Sequence, residues 1–227
     1  MKNCCKHDHT VKLFTATLLV IAILTALAGS AFACTAVYVG KDVSEDGTVI
    51  IAKCNDYPDV LANNVALMER VENVPGRKMP VNEACTVFFD LPATTYKYLS
   101  TPWMAGTQAY HGPVLDASVC ANEYGVTMIM SITAFTNGKA LAADPLVSDG
   151  ITEDNADDLI VCQSATAREG VDLLLHIMDT YGSSETNIAF LADQQEAWYV
   201  EMYTGHQYAA VKLPADKVCV FGNEFNL

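Results

Sequence analysis

Polar and apolar positions alternate over Thr35–Gly40, and a β-branched run fills Thr48–Ala52. The Glu45-Asp46-Gly47 turn between them predicts an antiparallel hairpin that carries Cys34 at its leading edge. In such a pair the end of the second strand lies beside the start of the first. Lys53 and Asp56, in the run Lys53-Cys54-Asn55-Asp56, are therefore expected within reach of Cys34. A carboxylate there could orient an amine, and a cation could favour the thiolate. The stretch Tyr57–Thr107 carries Pro58, Pro75, Pro80, Pro92 and Pro102 with little periodicity, which predicts long loops and short strands walling a substrate pocket. Val114–Cys120 and Val126–Phe135 flank Ala121-Asn122-Glu123-Tyr124-Gly125, a second hairpin with a glycine-ended turn. Asn122 reads most simply as a turn residue. With Ser131 and Thr133 on the strand that follows, it is also a candidate substrate contact.

Helical spacing takes over further along. Glu153–Ser164 predicts a short helix whose Asp154, Asp157 and Asp158 read as a solvated, dipole-favoured start rather than a metal site. Thr166-Ala167-Arg168-Glu169 is a capping-box pattern, followed by an apolar stripe of Val171, Leu174, Leu175 and Met178 that stops at Gly182. His176 falls off that stripe and is expected at the surface or between layers. From Asn187 the period shortens again: Ile188–Leu191, Ala197–Tyr203, Gln207–Leu213 and Val218–Phe221 predict a meander of strands. Helices followed by a meander imply a layered α+β arrangement.

The first 33 residues differ in kind. A lysine-bearing start, the mostly apolar Leu13–Leu27 and the small-residue exit Gly29-Ser30-Ala31-Phe32-Ala33 predict a secretory signal peptide cut after Ala33. The domain proper is then 34–227, exported to the periplasm, the cell surface or the medium. Lys and Arg number 13 against 27 Asp and Glu, and loss of Lys2, Lys6, Lys12 and Asp8 takes the net charge from −14 to −16. A nucleic-acid partner is excluded by that balance, and no stable membrane association is expected once the signal is gone. With 51% apolar residues the chain supports a packed core.

Cleavage after Ala33 would make Cys34 an N-terminal residue, and three fates compete for it. Lipidation normally wants leucine three positions before the cysteine, where this chain has Ala31. Burial or disulfide bonding is the second. The third is an N-terminal nucleophile, whose α-amine titrates near pH 8, below lysine, and serves as general base to its own thiol. Six cysteines follow the signal, Cys34, Cys54, Cys85, Cys120, Cys162 and Cys219, with no Cys-x-x-Cys pair to suggest zinc or redox chemistry. If Cys34 is a nucleophile the remaining five cannot all pair, and no disulfide is assigned.

Taken in order, Cys34-Thr35, Val37-Tyr38-Val39-Gly40, Asp46-Gly47, Asn55-Asp56, Asn122-Glu123-x-Gly125-Val126, Thr166-Ala167-Arg168-Glu169, Trp198-Tyr199-x-Glu201, Gly205-His206-Gln207 and Asn223-x-Phe225 resemble the dipeptidase A family of cysteine peptidases. That family belongs with the N-terminal-nucleophile hydrolases and is related to penicillin V acylase and bile-salt hydrolase. The resemblance implies a four-layer αββα sandwich and hydrolysis of amide bonds in short peptides, without metal or organic cofactor. It implies that Cys34 attacks, that its own amine relays the proton, that Asp56 orients the amine, and that Asn223 binds the reacting group at the oxyanion. Two departures stand out. Lys53 occupies the place of an arginine, keeping the charge without the planar fork. The family is also typically longer, so the chain is expected to be an N-terminal portion, incomplete at its C-terminus, with exposed apolar edges that favour a homo-oligomer.

Two classes of function follow. One is a secreted thiol dipeptidase, or an acylase-type relative taking N-acyl amino acids, penicillin V or bile-salt-like amides. The other is a non-catalytic, lipid-anchored exported protein, in which acylation of the Cys34 amine removes the base.

Overall fold

A computed structural model describes residues 34–55, 62–63, 65–82, 84–104, 117–130 and 133–227. The signal-peptide expectation for 1–33 lies outside the described residues.

The first expected hairpin forms as β1 (Thr35–Val39) and β2 (Ile50–Cys54), in the register Thr35 to Cys54 through Val39 to Ile50. Gly47 takes a φ of +74° in the loop between them, a left-handed conformation that favours glycine. The other edge of β1 is taken by the last strand, β15 (Val218–Phe221), with Ala36 opposite Phe221. These three strands make a small sheet in the order β15-β1-β2. The meander expected at the end of the chain thus divides, its first three strands staying together and its fourth crossing to the other sheet.

The larger sheet is antiparallel. It comprises β3 (Ala62–Asn63), β4 (Ala66–Met68), β9 (Tyr98–Met104), β10 (Ala117–Asn122), β11 (Thr127–Ile129), β12 (Asn187–Ala192), β13 (Ala197–Met202) and β14 (Tyr208–Lys212). Their order is β14-β13-β12-β11-β10-β9-β3, with β4 also pairing β9. The proline-rich stretch therefore contributes more than loops, because β9 is a seven-residue strand of the main sheet. Pro102 lies within it opposite Ala117, where the register with β10 shifts. Proline lacks an N–H, and a ladder irregularity is where a sheet tolerates it. Two further ladders, β5 (Val71–Glu72) with β8 (Thr94–Thr95) and β6 (Lys78–Pro80) with β7 (Phe88–Asp90), complete that region.

Three helices are described: α1 (Gly138–Ala143), α2 (Glu153–Val161) and α3 (Ala167–Tyr181). The Thr166 hydroxyl accepts from the Glu169 amide at 3.1 Å and Glu169 Oε2 from the Ala165 amide at 2.8 Å, so the expected cap is present. His176 is exposed, the first of its two expected places. The acidic start of α2 departs from expectation. Asp157 and Asp158 are buried, because the helix is covered on both sides, by the main sheet and by α3 with β6.

Alternation along the central strands builds two cores. Ile188, Phe190 and Ala192 of β12 and Tyr199 of β13 face Ala36 and Tyr38 of the small sheet. Ala189, Leu191, Val200 and Met202 face Leu159 and Ile160 of α2 and Leu174 and Ile177 of α3. Each such buried large aliphatic side chain contributes about 1.5–3 kcal/mol. The described residues thus stack helices on the large sheet and the large sheet on the small one, an α+β sandwich of three layers from the expected αββα order.

Candidate active site

The site is built at one end of the small sheet. Extending the β1–β15 register by one pleat sets Cys34 opposite Asn223, and extending the β1–β2 register sets it opposite Asn55. Side chains two residues apart share a face. Cys34 therefore points with Ala36 and Tyr38 toward the gap between the sheets, where it packs half-buried on the inter-sheet core. Lys53 and Asn55 share the inner face with Ile51, and Asn223 shares it with Cys219 and Phe221. Cys54 lies on the outer face and is exposed. Cys34, Cys54 and Cys219 carry free thiols.

Two of these side chains bridge to the main sheet. Lys53 Nζ donates to the carbonyl of Met130, the residue after β11. Asn223 Nδ2 donates to the carbonyl of Thr133 at 2.7 Å. The Asn223 Oδ1 is buried with no hydrogen-bond partner among the described residues. One amide N–H of Asn223 is thus committed to Thr133, and its second N–H is left for other duty. Behind Met130 lies Asp157, whose carboxyl burial pushes well above the usual range while the Lys53 charge pulls it back.

Cys34, Lys53 and Asn223 are brought to one end of one sheet, and Thr133 joins them through its backbone carbonyl. Asn122 does not join them as a substrate contact. Its Nδ2 donates to the carbonyls of Val161 and Ser164 at 2.8 and 2.7 Å, and its Oδ1 accepts from the amides of Tyr124 and Val126 at 3.0 Å. Two donor hydrogens and two lone pairs are all used, so Asn122 fastens the β10–β11 turn to the end of α2. Asp56 and Ser131 lie outside the described residues.

A cavity of about 630 Å³ is lined by Phe135, Thr136, Asp144, Tyr203, Thr204 and Phe225, the first lying two residues beyond Thr133 and the last two beyond Asn223 in the chain. Phe135 stands two residues beyond Thr133 and is 85% exposed, so it forms an apolar wall presented to solvent. Asp144 accepts from the Thr204 hydroxyl at 2.5 Å and from the His206 amide at 2.7 Å. The Thr204 hydroxyl and His206 hold its carboxyl down at about 2. The lining of this cavity comes from 135–144, 203–207 and Phe225, and the 57–107 stretch expected to wall a substrate pocket lies partly outside the described residues. Glu201 was not among the expected site residues, although an acid in the apolar strand Ala-Trp-Tyr-Val-Glu-Met is a visible signal.

Comparison with known proteins finds relatives of this chain. The chain is 34% identical over 211 residues to "Probable dipeptidase B" of Streptococcus pyogenes serotype M1, covering 92% of this chain and 41% of that protein. It is 32% identical over 194 residues to "Probable dipeptidase B" of Lactococcus lactis subsp. lactis (strain IL1403), covering 86% and 40%. The chain thus spans about two fifths of the length of these relatives. Among solved structures, penicillin V acylase from Agrobacterium tumefaciens matches 79% of this chain and 49% of its own, at 15% identity and a TM-score of 0.47. The family model of peptidase family C69 matches residues 33–227, all but the leading segment. On that match the chain belongs to peptidase family C69.

Proposed function

We propose that this chain carries the nucleophile end of an exported cysteine dipeptidase, activated by removal of residues 1–33. The observation that supports the reading best is the register: Cys34 lies between Asn55 and Asn223 on the inner face of the small sheet, with Lys53 on that face. The start of the family match at residue 33, next to Cys34, and the dipeptidase names of the relatives point the same way.

In this mechanism the freed α-amine of Cys34 takes the thiol proton as sulfur attacks the peptide carbonyl. The amine then passes the proton to the departing amino group, and water hydrolyses the thioester to regenerate thiol and amine. Asp56 orients the amine. The second N–H of Asn223 donates to the oxyanion, a donor whose loss typically lowers turnover about 10²–10³-fold. Lys53 supplies positive charge near the thiol and the substrate carboxylate, without the bidentate geometry of arginine. The cavity bounded by Phe135 and Phe225 takes the side chain of a short peptide or N-acyl amino acid.

The test is intact mass and N-terminal sequencing of the exported protein before and after a thiol-reactive label, joined to a dipeptide hydrolysis screen. A chain beginning at Cys34, labelled there and inactive as Cys34→Ala, is expected, with Cys54→Ala retaining activity. A retained signal, a diacylglycerol-bearing Cys34 or a fully active Cys34→Ala protein would sink the mechanism.

A further inference from the structure

Glu201 is fully buried within β13, on the face it shares with Ala197 and Tyr199 toward the small sheet. Both of its oxygens are occupied by neutral donors. Oε1 accepts the Tyr199 hydroxyl at 2.6 Å and the Asn226 amide. Oε2 accepts the Tyr203 hydroxyl at 2.6 Å and the Leu227 amide at 3.1 Å. A backbone N–H can only donate, so two amides and two phenols converging on one site require a group that accepts on both sides. A carboxylate meets that need and a carboxamide does not.

The two amides belong to the segment that carries Asn223. Its near end is held by Phe221, stacked on Tyr199 with ring centroids 4.6 Å apart and against Phe190 at 5.0 Å. Its far end is held by Glu201, by Phe225 edge-on to Tyr203 at 4.8 Å, and by Asn226 Nδ2 donating to the Tyr199 hydroxyl at 3.1 Å. Asn223 thus lies between an aromatic anchor two residues before it and a carboxylate anchor three residues after it. Its own contact, to the Thr133 carbonyl, spans from one sheet to the segment beyond β11.

We propose that Glu201 is a positioning residue: its carboxylate clamps the Asn226 and Leu227 amides and so holds Asn223 in register with Cys34. The proposal rests on the reading of Asn223 as the oxyanion donor. Glu201 touches no reacting atom, and its effect on turnover passes through Asn223.

Glu201→Gln keeps one accepting oxygen and turns an N–H₂ toward donors on the other side. Exchange of the Asn226 and Leu227 amides is expected to quicken by about tenfold or more, while amides of β12 keep their rates. Turnover number is expected to fall about tenfold with KM unchanged, the signature of an interaction made in the transition state. The double variant Glu201→Gln/Asn223→Ala should be no slower than Asn223→Ala alone, because both changes remove one interaction. Asn226→Pro, which deletes one clamped N–H without altering the buried acid, should reproduce the turnover loss if Glu201→Gln does not fold. Unchanged exchange, or losses that multiply in the double variant, overturns the proposal. Slow Asn223→Ala beside undiminished Glu201→Gln overturns the role of Glu201 alone, whereas full turnover by Asn223→Ala overturns the Asn223 reading beneath it.

Discussion

The two cores on either side of the main sheet each bury acid, and they treat it in opposite ways. Between the sheets, Glu201 meets four donors on two oxygens, two of them from the chain's own backbone. Between sheet and helices, Asp158 sits near Tyr98, Cys120 and Ser100, and burial outweighs their pull to raise its carboxyl to about 6. Asp157 beside it is raised by burial as well, against the attraction of Lys53. Burial alone therefore says little about whether an acid stabilises a fold. The donors that converge on it decide.

Glu201→Ala should break this contrast most, stranding two buried phenols and two amides at a cost on the order of 3–5 kcal/mol, read as a lowered denaturation midpoint. Asp158→Asn should do the reverse. Its proton leaves near pH 4 in the unfolded chain and about 6 in the folded one, so native stability declines as pH rises between those values. The substitution should then add about 3 kcal/mol at pH 7.5 and nothing below about pH 4, seen by urea titration at both pH values. A gain at pH 7.5 that persists unchanged at low pH would contradict the desolvation account. Asp144, on the cavity rim, should matter least. Hydrogen bonds from Thr204 and His206 lower its pKa to about 2, so its contribution is present above its ordinary value and lost as pH falls through about 2. Because it is partly exposed, Asp144→Asn should cost less than about 1 kcal/mol at neutral pH.

Much of this was readable in advance where local chemistry dominates. The β1–β2 hairpin, the capped α3 and the glycine-ended turn at Gly125 follow from alternation, capping and turn residues, which act over a few positions. Asp157 and Asp158 depart from the solvated helix start because the helix dipole is a local effect, whereas their burial depends on which layers close over α2. Asn122 fits a turn residue and a substrate contact equally by its place in the sequence. Its turn role is local, and its commitment to the end of α2 is a long-range pairing that spacing along the chain does not reveal.

Sequence by itself determined the alternation that makes both cores, the placement of Cys34 at the head of a strand, and the family to which the chain belongs. Tertiary structure alone decided that β15 leaves the meander to pair with β1, which sets Asn223 opposite Cys34. It also decided that Glu201, an acid in an apolar strand, faces the backbone of that returning segment. The physical reason is common to both: an unpaired strand edge and a buried carboxylate each require hydrogen-bond partners, and only folding determines which distant residues supply them.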